Sequence, residues 1–340
     1  MSGVKSGKVL VTGASGYLGA WVVHFLLDRG YDVLVAMRTQ SQLDFIRSQY
    51  PDNTHLSGVI VPDITALGAY DNAVSEVDAI IHTASPAKFY FDDPYTDIVD
   101  PAVNGAVGIL ASAKRQGMNV KRIVLTSSVA AVSTEGKDLW DETLWGTMHI
   151  EALESKGKDT PGTVVYSASK VLAERAAWDF VKKEQPKYEL TTVLPAWCIG
   201  PYIHNTSKGL GSTPAVFLAM LPKGDTSGNR AFPFVDVRDA ALAHVLAMES
   251  DQLAGERILA TSDEIFAWQD LYDILYDADL GITKSLPPKE ATYGAGKKKS
   301  LLPVISSAKS LEFFEELKYK SLQESMVEMG NAMVKDGLLS

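Results

Sequence analysis

The stretch VLVTGASGYLGAWVVHFLL places Gly13, Gly16 and Gly19 between a β-branched run and a helix-like apolar segment beginning at Tyr17. A strand that turns directly into a helix needs glycine where the backbone reverses, where it nears a ligand's phosphates and where helix packs on strand. The helix start then offers unpaired N–H groups and positive potential, a setting for a pyrophosphate. The spacing is G-x-x-G-x-x-G rather than the commoner G-x-G-x-x-G, so a purely structural turn competes with a ligand site. The strand before, the helix after and the apolar repeats downstream favour a dinucleotide, bound by the three glycines with Ser15, Tyr17 and Leu18 between them.

Those repeats alternate short β-branched runs with longer amphipathic stretches. They read KVLVTG, Tyr17 to Arg29, YDVLVAM, Ser41 to Tyr50, GVIV near Ile60, AIIHTA, Asp97 to Gln116 and RIVLTSS. After the helix carrying Tyr166, a sixth strand ends at Pro195. Near-continuous apolar strands belong to a sheet covered on both faces. The expected fold is α/β, a Rossmann-type doubly wound parallel sheet with a smaller, irregular substrate-binding region. Residues 1–195 and 232–261 are expected in the dinucleotide unit, and 196–231 and 262–340 in the substrate region. From Cys198 to Arg230 the chain reads as loop with a short helix around Ala215 to Met220, and GKKKS reads as a solvated loop.

At 340 residues and 46% hydrophobic content the chain can bury a large core. A net charge of −10 argues against nucleic acid and anionic membrane as partners, leaving small molecules. The single cysteine, Cys198, excludes an internal disulfide, and no segment approaches the roughly 20 apolar residues of a membrane span. A cytoplasmic monomer or homodimer is expected. Asn205-Thr206-Ser207 reads as a polar surface loop, and His82 and His204 lack the clustered partners that a metal would need.

Where the second strand ends, the carboxylate that would receive the ribose 2′-hydroxyl of NAD is missing, and Met37 and Arg38 stand instead. A guanidinium there can pair with a 2′-phosphate, which points to NADPH/NADP.

The stretch VVYSASKVLAERAAW puts Tyr166 four positions before Lys170. Four positions apart is one face of a helix, so an ammonium can lower the pKa of a phenol and also reach a cofactor ribose. Reduction of a carbonyl needs a positioned acid as charge grows on oxygen, and Tyr166 suits that role. Past the strand RIVLTSS, Ser128 is placed to hydrogen-bond the same oxygen, with Thr126 and Ser127 as nearer-strand alternatives.

In order and distance, VTGASGYLG, VLTSSVAAV and YSASK resemble the extended short-chain dehydrogenase/reductase family, with support from VPDIT, HTASP, PAVNGAVGIL and FVDVRDAALAHVLAM. Within it the chain is similar to yeast and fungal aldehyde and ketone reductases of the methylglyoxal type, and more distantly to plant dihydroflavonol and cinnamoyl-CoA reductases. The resemblance implies Ser128, Tyr166 and Lys170 as the catalytic triad. It implies adenine contacts from Asp63 and Ile64, and cofactor-lining roles for Thr83, Ala84, Ser85 and the segment Pro195 to Cys198. Three positions depart from the family pattern: Gln42 replaces a second basic residue, Ser133 an asparagine of the flavonoid enzymes, and Leu194 an asparagine before proline.

Phe89, Tyr90 and Phe91 follow a strand that should end at the crevice, and Trp197 is placed similarly; such aromatics either wall an apolar pocket or pack the loop. Cys198 reads as a small buried hydrophobe. Together the motifs predict hydride transfer from NADPH to aldehydes and ketones, giving alcohols. A nucleotide-sugar epimerase or dehydratase and a non-catalytic NADP-sensing regulator are the competing readings.

Overall fold

The computed structural model describes residues 3–85, 89–207, 209–221, 230–282, 284–289, 293, 294, 296 and 302–340. The lysines of GKKKS lie outside the described residues. The chain runs β1 (Lys8–Thr12), α1 (Tyr17–Asp28), β2 (Asp32–Met37), α2 (Gln40–Gln49), β3 (Leu56–Ile60), α3 (Asp71–Val74) and β4 (Ala79–His82). It continues through α4 (Asp100–Gln116), β5 (Arg122–Thr126), β6 (Leu139–Trp140), α5 (Thr147–Lys156), α6 (Gly162–Glu184), β7 (Glu189–Pro195) and β8 (Trp197–Ile199). Then come α7 (Ser212–Met220), β9 (Phe232–Asp236), α8 (Val237–Glu249), β10 (Arg257–Ala260), β11 (Ile265–Phe266), α9 (Trp268–Asp277) and β12 (Val304–Ile305). The helices Ala308–Phe313 and Leu322–Lys335 close it.

Seven strands form one sheet in the order β10-β7-β5-β4-β1-β2-β3, with every neighbouring pair parallel. Because side chains alternate across a strand, each strand feeds two cores. Val9, Val11, Ile81 and Val124 pack with Val22 and Leu26 of α1 and Val245 of α8. Leu10, Ile80, Ile123 and Leu125 face the other way, onto Ala106 and Ile109 of α4 and Ala177 of α6. Burying each aliphatic side chain of this kind contributes about 1.5–3 kcal/mol, so the alternation fixes the register on both faces. The order of strands reverses between β1 and β4, which opens a crevice at their C-terminal ends.

β8, β9 and β11 form a separate three-stranded sheet, β9 pairing parallel with β8 and antiparallel with β11. The segment 232–261 therefore divides: Phe232–Asp236 lies in the small sheet, while α8 and β10 belong to the large one. A third core gathers Phe217, Phe234, Phe266, Leu271 and Tyr272 with Met326, Met329 and Met333 of the last helix. The fully buried Asp236 caps α8 by accepting from the Arg238 N–H at 2.7 Å, and it accepts from the Ser325 hydroxyl at 2.6 Å. Arg238 also pairs with Glu328, so the motif FVDVRDAALAH ties the last helix to the sheet. Among the described residues no helix is long and apolar enough to cross a membrane.

Candidate active site

The glycine turn joins β1 to α1 at the edge of the crevice. Gly13 has φ +71°, a left-handed conformation, and a Cβ there would stand 2.6 Å from Thr83 Oγ1 and 2.7 Å from the Ala84 nitrogen. At Gly19 a Cβ would collide with the Gly13 carbonyl, so helix and turn touch backbone to backbone. Gly16 is the N-cap of α1, whose first turn has neither a side-chain cap nor an acidic residue. The free N–H groups of that turn are a cradle for phosphate. The Tyr17 side chain is committed elsewhere, its hydroxyl donating to the Gly200 carbonyl at 2.6 Å, so Tyr17 can meet a ligand here only through its backbone.

Arg38 is exposed just past β2, and among the described residues its guanidinium makes no hydrogen bond. Gln42 is not merely an absent base. Its Oε1 accepts from the Arg38 and Thr39 N–H groups, closing a capping box with Thr39, while its Nε2 donates to Ser15 Oγ at 3.3 Å. Gln42 thus links the end of β2 to the glycine turn. Asp63 folds back on Thr65, accepting from its N–H at 2.8 Å and its hydroxyl at 2.7 Å, and these bonds hold its carboxyl below the usual range. Ile64 packs against the core beside Gly105 of α4.

On α6, Tyr166 and Lys170 point towards one another, with the Lys170 ammonium 5.5 Å from the Tyr166 ring centre. Lys170 donates to Ser85 Oγ at 3.0 Å. Burial dominates the phenol, pushing Tyr166 up to about 12 although the neighbouring Ser128 side chain opposes the shift. Burial also pushes Lys170 down to about 8, against the pull of Glu174. The expectation that Lys170 lowers the Tyr166 pKa is not met in this arrangement, because the ammonium faces the ring and the β4 loop.

The three hydroxyls after β5 are separated by their partners. Thr126 donates to Nε2 of His244, whose Nδ1 donates to the Ala240 carbonyl at 2.7 Å. Ser127 donates to Glu174 at 2.6 Å. Ser128 caps a short turn by accepting from the Ala130 N–H at 3.2 Å and stands beside Tyr166. Ser133 is one turn on, bonded to His149 Nε2 at 2.6 Å.

The aromatic loop splits three ways. The Phe89 ring lies 5.5 Å from the Tyr166 ring, Tyr90 is 92% exposed, and Phe91 packs with Ile98 and Leu153. Trp197 stacks edge-on against Phe232 and Trp268 in the third core. Pro195 ends β7 at the crevice, and the next N–H, of Ala196, bonds the Ala260 carbonyl at 3.0 Å. Desolvation pushes the Cys198 thiol up to about 12, which suits packing and not nucleophilic attack. Sequence reasoning missed Glu174 and the capping role of Gln42; the Thr39-x-x-Gln42 pattern carried a signal for the second.

Fold and site together define a dinucleotide-binding protein of the Rossmann class. Residues 9–260 match the NAD dependent epimerase/dehydratase family, and the chain belongs to it, among the extended short-chain dehydrogenase/reductases that its motifs resemble. It is 36% identical to ketoreductase azaE of Aspergillus niger, across 86% of this chain and 90% of that protein. It is 30% identical to the NADPH-dependent methylglyoxal reductase GRE2 of Saccharomyces cerevisiae, across 96% of this chain and 98% of that one. The crystal structure of yeast methylglyoxal/isovaleraldehyde reductase Gre2 complexed with NADPH matches with a TM-score of 0.86 at 29% identity, covering 98% of this chain and 100% of that one.

Proposed function

We propose that the protein is an NADPH-dependent carbonyl reductase that converts aldehydes and ketones to alcohols. The observation that carries this reading is the meeting of Ser128, Tyr166 and Lys170 beside the loop that also touches the glycine turn. The residues present fit the cofactor: a cradle that any Cβ would fill, an uncapped helix start, and an arginine with no hydrogen-bond partner among the described residues. Gly13, Gly16 and Gly19 would hold the pyrophosphate, Arg38 the 2′-phosphate, Asp63 and Ile64 the adenine end, and Thr83 to Ser85 with Pro195 and Cys198 the middle and nicotinamide end.

When bound, NADPH supplies a hydride to the carbonyl carbon. The Ser128 hydroxyl donates a hydrogen bond to the carbonyl oxygen, and that bond strengthens as negative charge grows there. Tyr166 then gives the oxygen its proton. A phenol held at about 12 keeps its proton until the oxygen has become strongly basic, which couples protonation to reduction. Lys170 supplies positive charge beside the ring and a donor for the ribose.

The substrate side is assigned to 196–231 and 262–340, with β9 (Phe232–Asp236) joining them in the small sheet and third core. A single cysteine and a charge of −10 support a cytoplasmic enzyme free of nucleic acid, and it would act as a monomer or homodimer. The test is consumption of NADPH, with NADH in parallel, on adding aldehydes, α-ketoesters, dicarbonyls and dihydroflavonols. Oxidation with several simple carbonyls is expected. Tight NADPH binding without consumption by any of them would sink the reading and favour an epimerase or a sensor.

A further inference from the structure

One helical turn beyond Lys170, Glu174 is 1% exposed. Its Oε1 accepts from Thr192 Oγ1 at 2.7 Å, Arg257 Nε at 2.7 Å and Trp178 Nε1 at 3.3 Å. Its Oε2 accepts from Ser127 Oγ at 2.6 Å and Arg257 Nη2 at 3.0 Å. Arg257 reaches in from β10, lies 3.8 Å over the Trp145 ring and gives Nη1 to the Glu142 and Leu144 carbonyls at 2.6 and 2.7 Å. A fully buried ion pair costs so much desolvation that an apolar pair of similar volume would stabilise a fold as well or better. Its position gives it another use. The carboxylate fixes Ser127, the residue before Ser128, and shares with Lys170, Ser85 and His82 the wall of a cavity of about 20 Å³.

We propose that Glu174 is a positioning residue of the reduction, acting through Ser127 on the turn that carries Ser128 and through its charge on Lys170. This role presupposes the reductase reading. Around the ammonium, α4 presents only Ala102 and Ala106 to the same cavity. Burial pushes His82 on β4 down to about 3 and His244 on α8 down to about 4, so both are neutral at working pH. The Tyr166 phenol and the Cys198 thiol, both near 12, keep their protons. Glu174, paired with Arg257, is the carboxylate that opposes the loss of the Lys170 proton.

The experiment follows kcat/KM for NADPH-dependent reduction from about pH 6 to about pH 10 in wild type, Glu174→Gln and the double variant E174Q/R257Q, with the folded fraction checked by circular dichroism. Wild type should lose activity on the basic side as Lys170 gives up its proton. Both variants should lose it about one pH unit lower, with kcat reduced about tenfold and the KM for NADPH changed less. Should Glu174→Gln strand the arginine and fail to fold, the double variant removes both charges together. A basic limb unmoved in the folded variants, or a uniform loss that follows the folded fraction, overturns the proposal. If wild type reduces no carbonyl, the reductase reading itself has failed. The pH dependence of NADPH binding, read by nicotinamide fluorescence, then makes the same comparison, and an unmoved limb there overturns the role of Glu174 as well.

Discussion

The Lys170 ammonium donates to the Ser85 hydroxyl at 3.0 Å, so the helix bearing the tyrosine and the loop after β4 meet at one cation. On the proposed reading Lys170 would serve both binding and turnover, and Tyr166 turnover alone. Lys170→Met should weaken NADPH binding and lower kcat together. Tyr166→Phe should lower kcat by about 10²–10⁴-fold while the Kd for NADPH stays within about twofold. Steady-state rates beside cofactor titrations separate the two.

Arg38 stands exposed beyond β2 with its side chain free to meet a phosphate. A charge-assisted hydrogen bond contributes about 1.5–3 kcal/mol, so Arg38→Ala should cut kcat/KM for NADPH by about 10–100-fold. The value for NADH should barely move. Equal losses with both cofactors would show that Arg38 supports the fold of the turn instead.

The contact between Phe89 and Tyr166 predicts a substrate effect. Phe89→Ala should raise KM for bulky carbonyls by about tenfold, a loss of apolar contact worth about 1.4 kcal/mol, with NADPH affinity unchanged. Tyr90→Ala, at a side chain 92% exposed, is the control and should leave both constants alone.

Stability should fall in acid. His82 and His244 are depressed to about 3 and about 4 in the folded chain, below the ordinary 6.5. Between those values the unfolded chain binds more protons, so stability present above about pH 6.5 is lost as pH falls towards about 4, by several kcal/mol over the two sites. Thermal melts from neutral to about pH 4.5 should show a steep drop, and His244→Gln should flatten it.

Much of this was legible in the sequence because it is local. Gly13, Gly16 and Gly19 lie in one turn, Tyr166 and Lys170 on one helical face, and the apolar runs announce a sheet covered on both sides. What stayed hidden depends on distant parts of the chain. Glu174 reads as an ordinary helix glutamate until β10 brings Arg257 against it across 83 residues. Trp197 and Phe91 look like pocket aromatics, yet tertiary packing takes them into separate cores, while Phe89 meets the tyrosine. The partners that separate Ser128 from Thr126 and Ser127 sit on α6 and α8, where spacing cannot reveal them.

The partner of Glu174 comes from the outermost strand of the large sheet, which is also the last of its seven to be synthesised. While a ribosome is still making α8, the nascent chain already contains the three glycines of the turn, Tyr166 and Lys170, yet its interior carboxylate has no guanidinium to meet. A gene fragment ending before Arg257 would thus carry a complete set of motifs and still yield an aggregation-prone product, so the strand order makes the site's completion a late event in the life of each molecule.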